Sequence, residues 1–322
     1  MAWNLVGDIG GTNMRLAAEE DGKIIRQQTL PTVGDVSIAD ALAEFCRSSG
    51  QSPINIAIAA AGIVDQGKVV LTNTGTVITE AKIAAACGTP KSTILNDFEA
   101  AAWSLANVDG DDLTCLQGNK ILLEKPRVII GPGTGLGVGA LVYRGTDPVV
   151  VQGEGGHVRL SPDTHEELAI FKALGELWPV VRMGEGQAVE AEAVLSGTGL
   201  PYFYKAIANV LGMHVEPKKS GDIFESAKAK SDSVAEKAVT YFTKYLGEIA
   251  GDMGVTFSAK GGVFLTGGVI ASNKWIFDSP VFLNAFNSGG RHSAFRKTLP
   301  IFINNNSNFG LNGATNYLRF TV

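Results

Sequence analysis

Leu5-Val6-Gly7-Asp8-Ile9-Gly10-Gly11-Thr12-Asn13 runs from a short apolar segment into a glycine-rich turn, and Met14 to Ala18 resumes the apolar pattern directly beyond it. Two apolar runs joined in this way read as strand, turn and strand, and Asp21-Gly22 ahead of Ile24-Ile25 adds a second hairpin signal. The turn suits an anion. Its glycines can take positive φ and let backbone N–H groups come close, Thr12 and Asn13 add side-chain hydrogen bonds, and Asp8 could hold Mg2+ through water. Taken alone, an ordinary glycine-rich hairpin would look the same.

The pattern recurs about 124 positions later. Val128 to Ile130, the loop Gly131-Pro132-Gly133-Thr134-Gly135-Leu136-Gly137 and Val138 to Tyr143 again read as strand, Gly-Thr turn and strand, which suggests an internal duplication with two phosphate-facing hairpins. A third glycine pair, Gly267-Gly268, ends the apolar strand Val263 to Thr266, and three such loops could surround one nucleotide. Rossmann and P-loop sites place the glycine turn between a strand and a helix, and no helical pattern follows either Gly-Thr loop. Gly62 to Val69 spells GxxxxGK but ends in Val where Ser or Thr would hold Mg2+, so Asp65-Gln66-Gly67-Lys68 reads as a turn.

Around these loops the spacing predicts an α/β chain. Helices are expected from Ser37 to Ser48, from Phe98 to Leu105, from Asp232 to about Ala250 and near Gly313 to Arg319. Strands are expected at Ile54 to Ala60, Val69 to Leu71, Thr93 to Leu95 and Ile301 to Ile303, with a weakly structured polar stretch at Asn107 to Asp112. The 322 residues are 45% hydrophobic, enough for a large core and for two domains. A net charge of −5 with only 18% charged residues gives no field for nucleic acid or an anionic membrane, and no apolar stretch reaches the ~20 residues that span a bilayer. Met1-Ala2-Trp3-Asn4 carries no export signal, so a cytoplasmic protein is expected. Cys46, Cys87 and Cys115 lack metal or disulfide spacing and read as buried small hydrophobes of a reducing compartment.

Three further places carry candidate chemistry. In Leu95-Asn96-Asp97-Phe98-Glu99, Asp97 at a strand end could accept the proton of an attacking hydroxyl while Asn96 holds a neighbouring one, yet both are also favoured helix caps. In Gly153-Glu154-Gly155-Gly156-His157, the carboxylate and imidazole could grip adjacent hydroxyls of a polyol, or the loop could be merely solvated. Glu192 starts an apolar helical segment ending in a glycine turn at Ser196-Gly197, where a first-turn glutamate also complements a helix dipole.

These blocks, together with Val194-Leu195-Ser196-Gly197 and Asn308-Phe309-Gly310-Leu311-Asn312-Gly313-Ala314, resemble in order and spacing the bacterial glucokinases, hexokinase-like sugar kinases of the actin-like ATPase superfamily. The resemblance spans essentially the whole chain. It implies the actin-like ATPase (ribonuclease H-like) α/β fold, two domains around a deep cleft, with residues 1–107 plus 300–322 as the small domain and 108–299 as the large one. It implies transfer of the γ-phosphoryl group of ATP to the 6-hydroxyl of D-glucose with Mg2+, in a homodimer that binds neither nucleic acid nor membrane.

Carried over by position, Gly7, Asp8, Ile9, Gly10, Gly11, Thr12 and Asn13 match the first phosphate loop, Gly133 and Thr134 the second, and Gly267 and Gly268 the adenosine-side pair. Asp97 matches the catalytic base, and Asn96, Glu154, His157 and Glu192 match sugar-binding residues. Two departures stand out: Arg159 sits where the family often has an acidic residue, and the stretch Trp178 to Glu190 is longer than usual. The resembling repressor and kinase group is set aside, since its Cys-rich motif after the His is missing and only six residues precede Gly7. Rival readings are a kinase for another hexose or amino sugar, and a filament or chaperone ATPase without a sugar site. Glycine, 39 residues, exceeds the average share of ~7%, and seventeen of the 39 fall in the five loops just described or directly beside them, counting Gly139, Gly199, Gly261 and Gly262.

Overall fold

Strand β1, Asn4–Ile9, alternates between two cores. Leu5 and Ile9 join a large cluster with Met14, Leu16, Leu42, Phe45, Ile58 and Ile94, whereas Val6 turns to the other face, against Ala17, Ala57, Leu311, Ala314 and Leu318. The period of two along a strand makes that division, and it also sends Asp8 to the same face as Val6.

The structure, a computed structural model, describes residues 2–33, 37–72, 74–108, 110–118 and 120–322. Contacts divide the chain into two compact units, one of residues 1–111, 140–152 and 306–322, the other of residues 112–139 and 153–305. In the first unit β1 is followed by β2, Asn13–Glu20, and β3, Lys23–Pro31, in an antiparallel meander. Asp21 and Gly22, with φ 51° and 80°, make the expected hairpin turn. Helix α1, Ile38–Arg47, starts at the Ser37 cap and buries Ile38, Ala41, Leu42 and Phe45. Next come β4, Ile56–Ala60, the small hairpin arms β5, Val64–Asp65, β6, Lys68–Val70, and β7, Val77–Thr79, helix α2, Glu80–Cys87, strand β8, Ser92–Asn96, and helix α3, Asp97–Ser104. The main sheet has the order β3-β2-β1-β4-β8, its last three strands parallel. Asp65 to Lys68 is indeed a turn, with Gln66 and Gly67 at φ 46° and 70°. Short 3-10 turns occupy 105–107 and 110–112 of the polar stretch, whose Asp109 lies outside the described residues, as does Met1.

The second sheet, order β12-β11-β10-β15-β16-β9, contains β9, Leu113–Gln117, β10, Arg127–Pro132, β11, Leu136–Arg144, and β12, Asp147–Val151. From Ala140 onward β11 and β12 cluster with the first unit. The short strand β13, Arg159–Leu160, precedes helix α4, His165–Leu177, and pairs with β14, Val189–Glu190. Helices α5, Gly199–Val210, α6, Ser220–Lys228, and α7, Ser233–Thr256, follow. Strand β15, Gly262–Leu265, leads to α8, Gly268–Ser272, α9, Val281–Asn287, α10, Ser293–Arg296, strand β16, Ile301–Asn304, and α11, Phe309–Thr321. Strands β10, β15 and β16 are buried along their whole length and, apart from Arg127 and Asn304 at their ends, read as apolar runs, as strands covered on both faces do.

Cys46 and Cys87 are buried in the first unit, but Cys115 is exposed, contrary to expectation, because β9 is the edge strand of its sheet. Among the described residues no helix is long and apolar enough to cross a membrane.

Candidate active site

In the first unit the register aligns three strand ends. Ile9 pairs with Ala60 and Ala60 with Asn96, so the Gly10–Asn13 turn, Ala61-Gly62 and Asn96-Asp97 leave the sheet at one carboxyl edge, where open α/β sheets take their ligands. With strands ~4.8 Å apart, the first loop and Asp97 are separated by about 10 Å of sheet edge. The turn is closed by Gly10 N–H donating to the Asn13 carbonyl at 3.0 Å, and it is braced by the Thr32 hydroxyl donating to the Gly10 carbonyl at 2.7 Å.

The capping expected of Asn96 or Asp97 falls mainly to Asn96. The Asn96 side-chain oxygen accepts the N–H groups of Phe98 and Glu99 at 2.8 and 3.2 Å, and its amide donates to the Gly62 carbonyl at 2.9 Å. Asn96 is therefore the cap of α3. Asp97 is the first residue of the helix, half-buried, its carboxylate near the positive end of the dipole, where Oδ1 accepts the Phe98 N–H at 3.0 Å. One turn in, burial pushes the Glu99 carboxyl up, against hydrogen bonds from the Gln152 side chain and the Asn96 backbone.

Asp8 sits on the α11 face of the sheet. Its carboxylate meets Arg15, its register partner on β2, at 3.2 Å, and lies against Gly310 at the start of α11. A Cβ at Gly310 would stand 2.5 Å from the Asp8 carboxyl carbon, so only glycine allows this approach. Burial raises the pKa of Asp8 and Arg15 lowers it, burial prevailing. The group is a hard-oxygen anion with incomplete charge compensation, which suits a hydrated divalent cation of the Mg2+ type.

In the second unit, parallel pairing of Ile130 with Leu265 sets Gly267 beside the strand that enters the second loop. Gly267 has φ 94°, and a Cβ there would lie 2.5 Å from the Pro132 carbonyl oxygen. The positive φ open to the first-loop glycines is not adopted by Gly7, Gly10 or Gly11, nor is it by Gly133 or Gly135. Gly7 is needed for room instead, since a Cβ would meet Ile58 at 2.6 Å. The Gly133-Thr134 loop is held from the α5 end: Gly197 N–H donates to the Gly133 carbonyl at 2.8 Å, and the Thr198 hydroxyl donates to the Thr134 carbonyl at 2.9 Å.

The residues expected to grip a polyol, Glu154, His157 and Glu192, lie in the same unit. Glu192 is on a 3-10 turn, Ala191–Ala193, and not at the head of an apolar helix; the glycine turn after it opens α5 where it was expected to end a helix. Its carboxylate accepts the Leu136 N–H at 2.7 Å, which ties it to the second loop. His157 closes a second 3-10 turn, Gly155–His157, with Glu154 exposed just before it. A hydrogen bond to Glu190 raises the His157 pKa, burial lowers it, and the charges of Glu192, Glu190 and Glu154 raise it further. One turn along α5 from Thr198 lies a cavity of about 430 Å³ walled by Tyr202, Tyr204, Lys205, Asn209, His214 and Lys218. Arg15, Thr32, Thr198, Glu190 and this cavity escaped the sequence reading; Thr32, Glu190 and Thr198 each meet a partner at least 22 residues away along the chain.

The family model described as Glucokinase matches residues 5–321. A glucokinase of Sinorhizobium fredii is 36% identical over 301 residues, 92% of this chain and 86% of its own length. A glucokinase of Allorhizobium ampelinum is 35% identical over 322 residues, 98% of this chain and 91% of its own. Among solved structures, the crystal structure of a glucokinase from an Antarctic psychrotroph matches with a TM-score of 0.85 at 26% identity, covering 99% of both chains. The fold is the expected α/β fold of the actin-like ATPases.

Proposed function

The chain belongs to the glucokinase family, and from that premise we infer that it transfers the γ-phosphoryl group of ATP to the 6-hydroxyl of D-glucose, giving glucose 6-phosphate and ADP. The observation that supports the mechanism is the placing of Asn96 as cap and Asp97 as first-turn carboxylate of α3 at the carboxyl edge of the sheet. Asp97 accepts the proton of the sugar 6-hydroxyl as its oxygen attacks the γ-phosphorus, and the bond to the β,γ-bridging oxygen breaks in line. Asn96, Glu154, His157 and Glu192 hold the remaining hydroxyls. Such chemistry depends on positioning and on stabilising phosphate charge, which is the task of the backbone at Gly7 to Asn13 and at Gly133-Thr134.

Gly267-Gly268 and the cavity beside Tyr202 take the nucleoside. This placement rests on the bond from Thr198 to the Thr134 carbonyl, which sets the cavity about 6 Å along α5 from the second phosphate loop. Its volume falls in the ~300–1,000 Å³ range of small-molecule sites. Asp8 would hold Mg2+ through water; when bound, the ion neutralises charge on the transferring phosphates. ATP as donor favours a cytoplasmic location, with which the free thiols of Cys46 and Cys87 agree, and the motif resemblance favours a homodimer.

A coupled assay of ADP formation tests the reading. ADP should appear only when glucose is added, and a panel of hexoses and amino sugars should leave glucose preferred. ADP production of equal rate without any sugar would overturn it in favour of a plain ATPase.

A further inference from the structure

Glu190 has no part in the mechanism above, yet its Oε2 lies 2.9 Å from Nδ1 of His157. It is the last residue of β14, directly opposite Arg159 on β13. Strand β14 is in turn the returning arm of a hairpin: Arg182 bridges to Val189, the Met183 N–H donates to the Ala188 carbonyl at 2.9 Å, and Gly184 turns with φ 75°. The longer stretch Trp178 to Glu190 thus has a definite product, a carboxylate delivered beside the imidazole. Arg159 does not compete for it, since its guanidinium reaches over Gly184 instead.

A carboxylate only accepts, so the bond places a proton on Nδ1 and leaves Nε2 for another partner. It also fixes the ring plane, because a flip would break the contact. Carboxylates that hold the second nitrogen of a working imidazole in this way set its tautomer and orientation. The charged groups facing the ring are Glu190, Glu192 and Glu154, all acidic, and together they favour its protonated form over burial.

We propose that Glu190 is a positioning residue for sugar binding, holding the His157 imidazole by Nδ1 so that Nε2 meets a hydroxyl of glucose. The proposal rests on His157 as a glucose ligand. Glu190→Ala should raise the KM for glucose about tenfold, with kcat and the KM for ATP within about twofold. Glu190→Gln, which keeps an oxygen to accept the Nδ1–H, should restore most of the affinity. A second readout separates positioning from a structural part in the hairpin. The chain has four histidines, so imidazole proton signals can be followed by NMR, with His157→Asn identifying the one concerned. In Glu190→Gln the His157 pKa should fall, since the carboxylate that raises it is replaced by a neutral amide. An unmoved pKa, or an unchanged glucose KM in Glu190→Ala, overturns the proposal. If His157→Asn raises the glucose KM while Glu190→Ala does not, only the positioning role fails; if neither raises it, His157 itself is not a glucose ligand.

Discussion

Glu192 accepts the backbone N–H of Leu136 at 2.7 Å, so the carboxylate matched to the sugar is also a brace for the second glycine loop. With the sugar role proposed for it, Glu192 would couple the two substrates. Glu192→Ala should raise the KM for glucose and the KM for ATP, each about tenfold, since a hydrogen bond to a charged group contributes ~1.5–3 kcal/mol. Steady-state kinetics with either substrate varied will decide; a change confined to glucose would show that the brace is dispensable.

Asp97 and Asn96 should separate cleanly by substitution. Asp97→Ala is expected to lower kcat more than ~100-fold at a smaller cost in stability than Asn96→Ala, because Asn96 accepts two helix N–H groups and Asp97 one. Asn96→Ala should cost about 1 kcal/mol of stability through the lost cap, in addition to any loss of sugar affinity. Kinetics beside chemical denaturation distinguish the two, and near-normal turnover in Asp97→Ala would remove it as the base.

Gly310→Ala tests the packing beneath Asp8. The added methyl would lie 2.8 Å from both carboxylate oxygens, inside contact distance, so Asp8 or α11 must shift. Overpacking of this kind costs ~1–3 kcal/mol. The variant should be less stable and should need more Mg2+ for half-maximal rate; a normal Mg2+ titration would argue against Asp8 as the ion's holder.

Asp232 supplies a pH signature. Burial pushes its carboxyl up, but hydrogen bonds from Lys218 and Tyr204, both at 2.7 Å, and from the Ala235 backbone prevail and hold the pKa at about 2, below the ordinary 3.8. A depressed acid stabilises the fold above its unfolded pKa and loses that contribution as pH falls through the folded one. Asp232→Ala should therefore cost about 2 kcal/mol at neutral pH, and the difference from wild type should shrink between about pH 4 and pH 2. Denaturation midpoints across that range check it; a difference independent of pH would mean that capping and packing, not charge, account for the loss.

The two Gly-Thr hairpins, the strand at Ile56–Ala60 and the long helix α7 were legible because alternation, capping and glycine turns are local signals. Helix α5 was not: it opens with Gly199-Leu200-Pro201, which mimics a loop, and its burial against α7 overrides that start. The role of glycine was read as freedom of φ, whereas at Gly7 and Gly310 it is room for a neighbour from another strand or helix.

Family and fold class were thus carried by the sequence itself, since each is written in short runs of adjacent residues. Tertiary structure decided the allocation of roles. Asn96 and Asp97 are adjacent, yet which one caps depends on a Gly62 carbonyl in another turn. Asp8 meets Arg15 through strand register and Gly310 through the packing of the last helix, and His157 acquires Glu190 only after a hairpin has returned. Local pattern sets where the backbone goes; which groups face one another, and hence their charge and proton, is set by register and packing between distant segments.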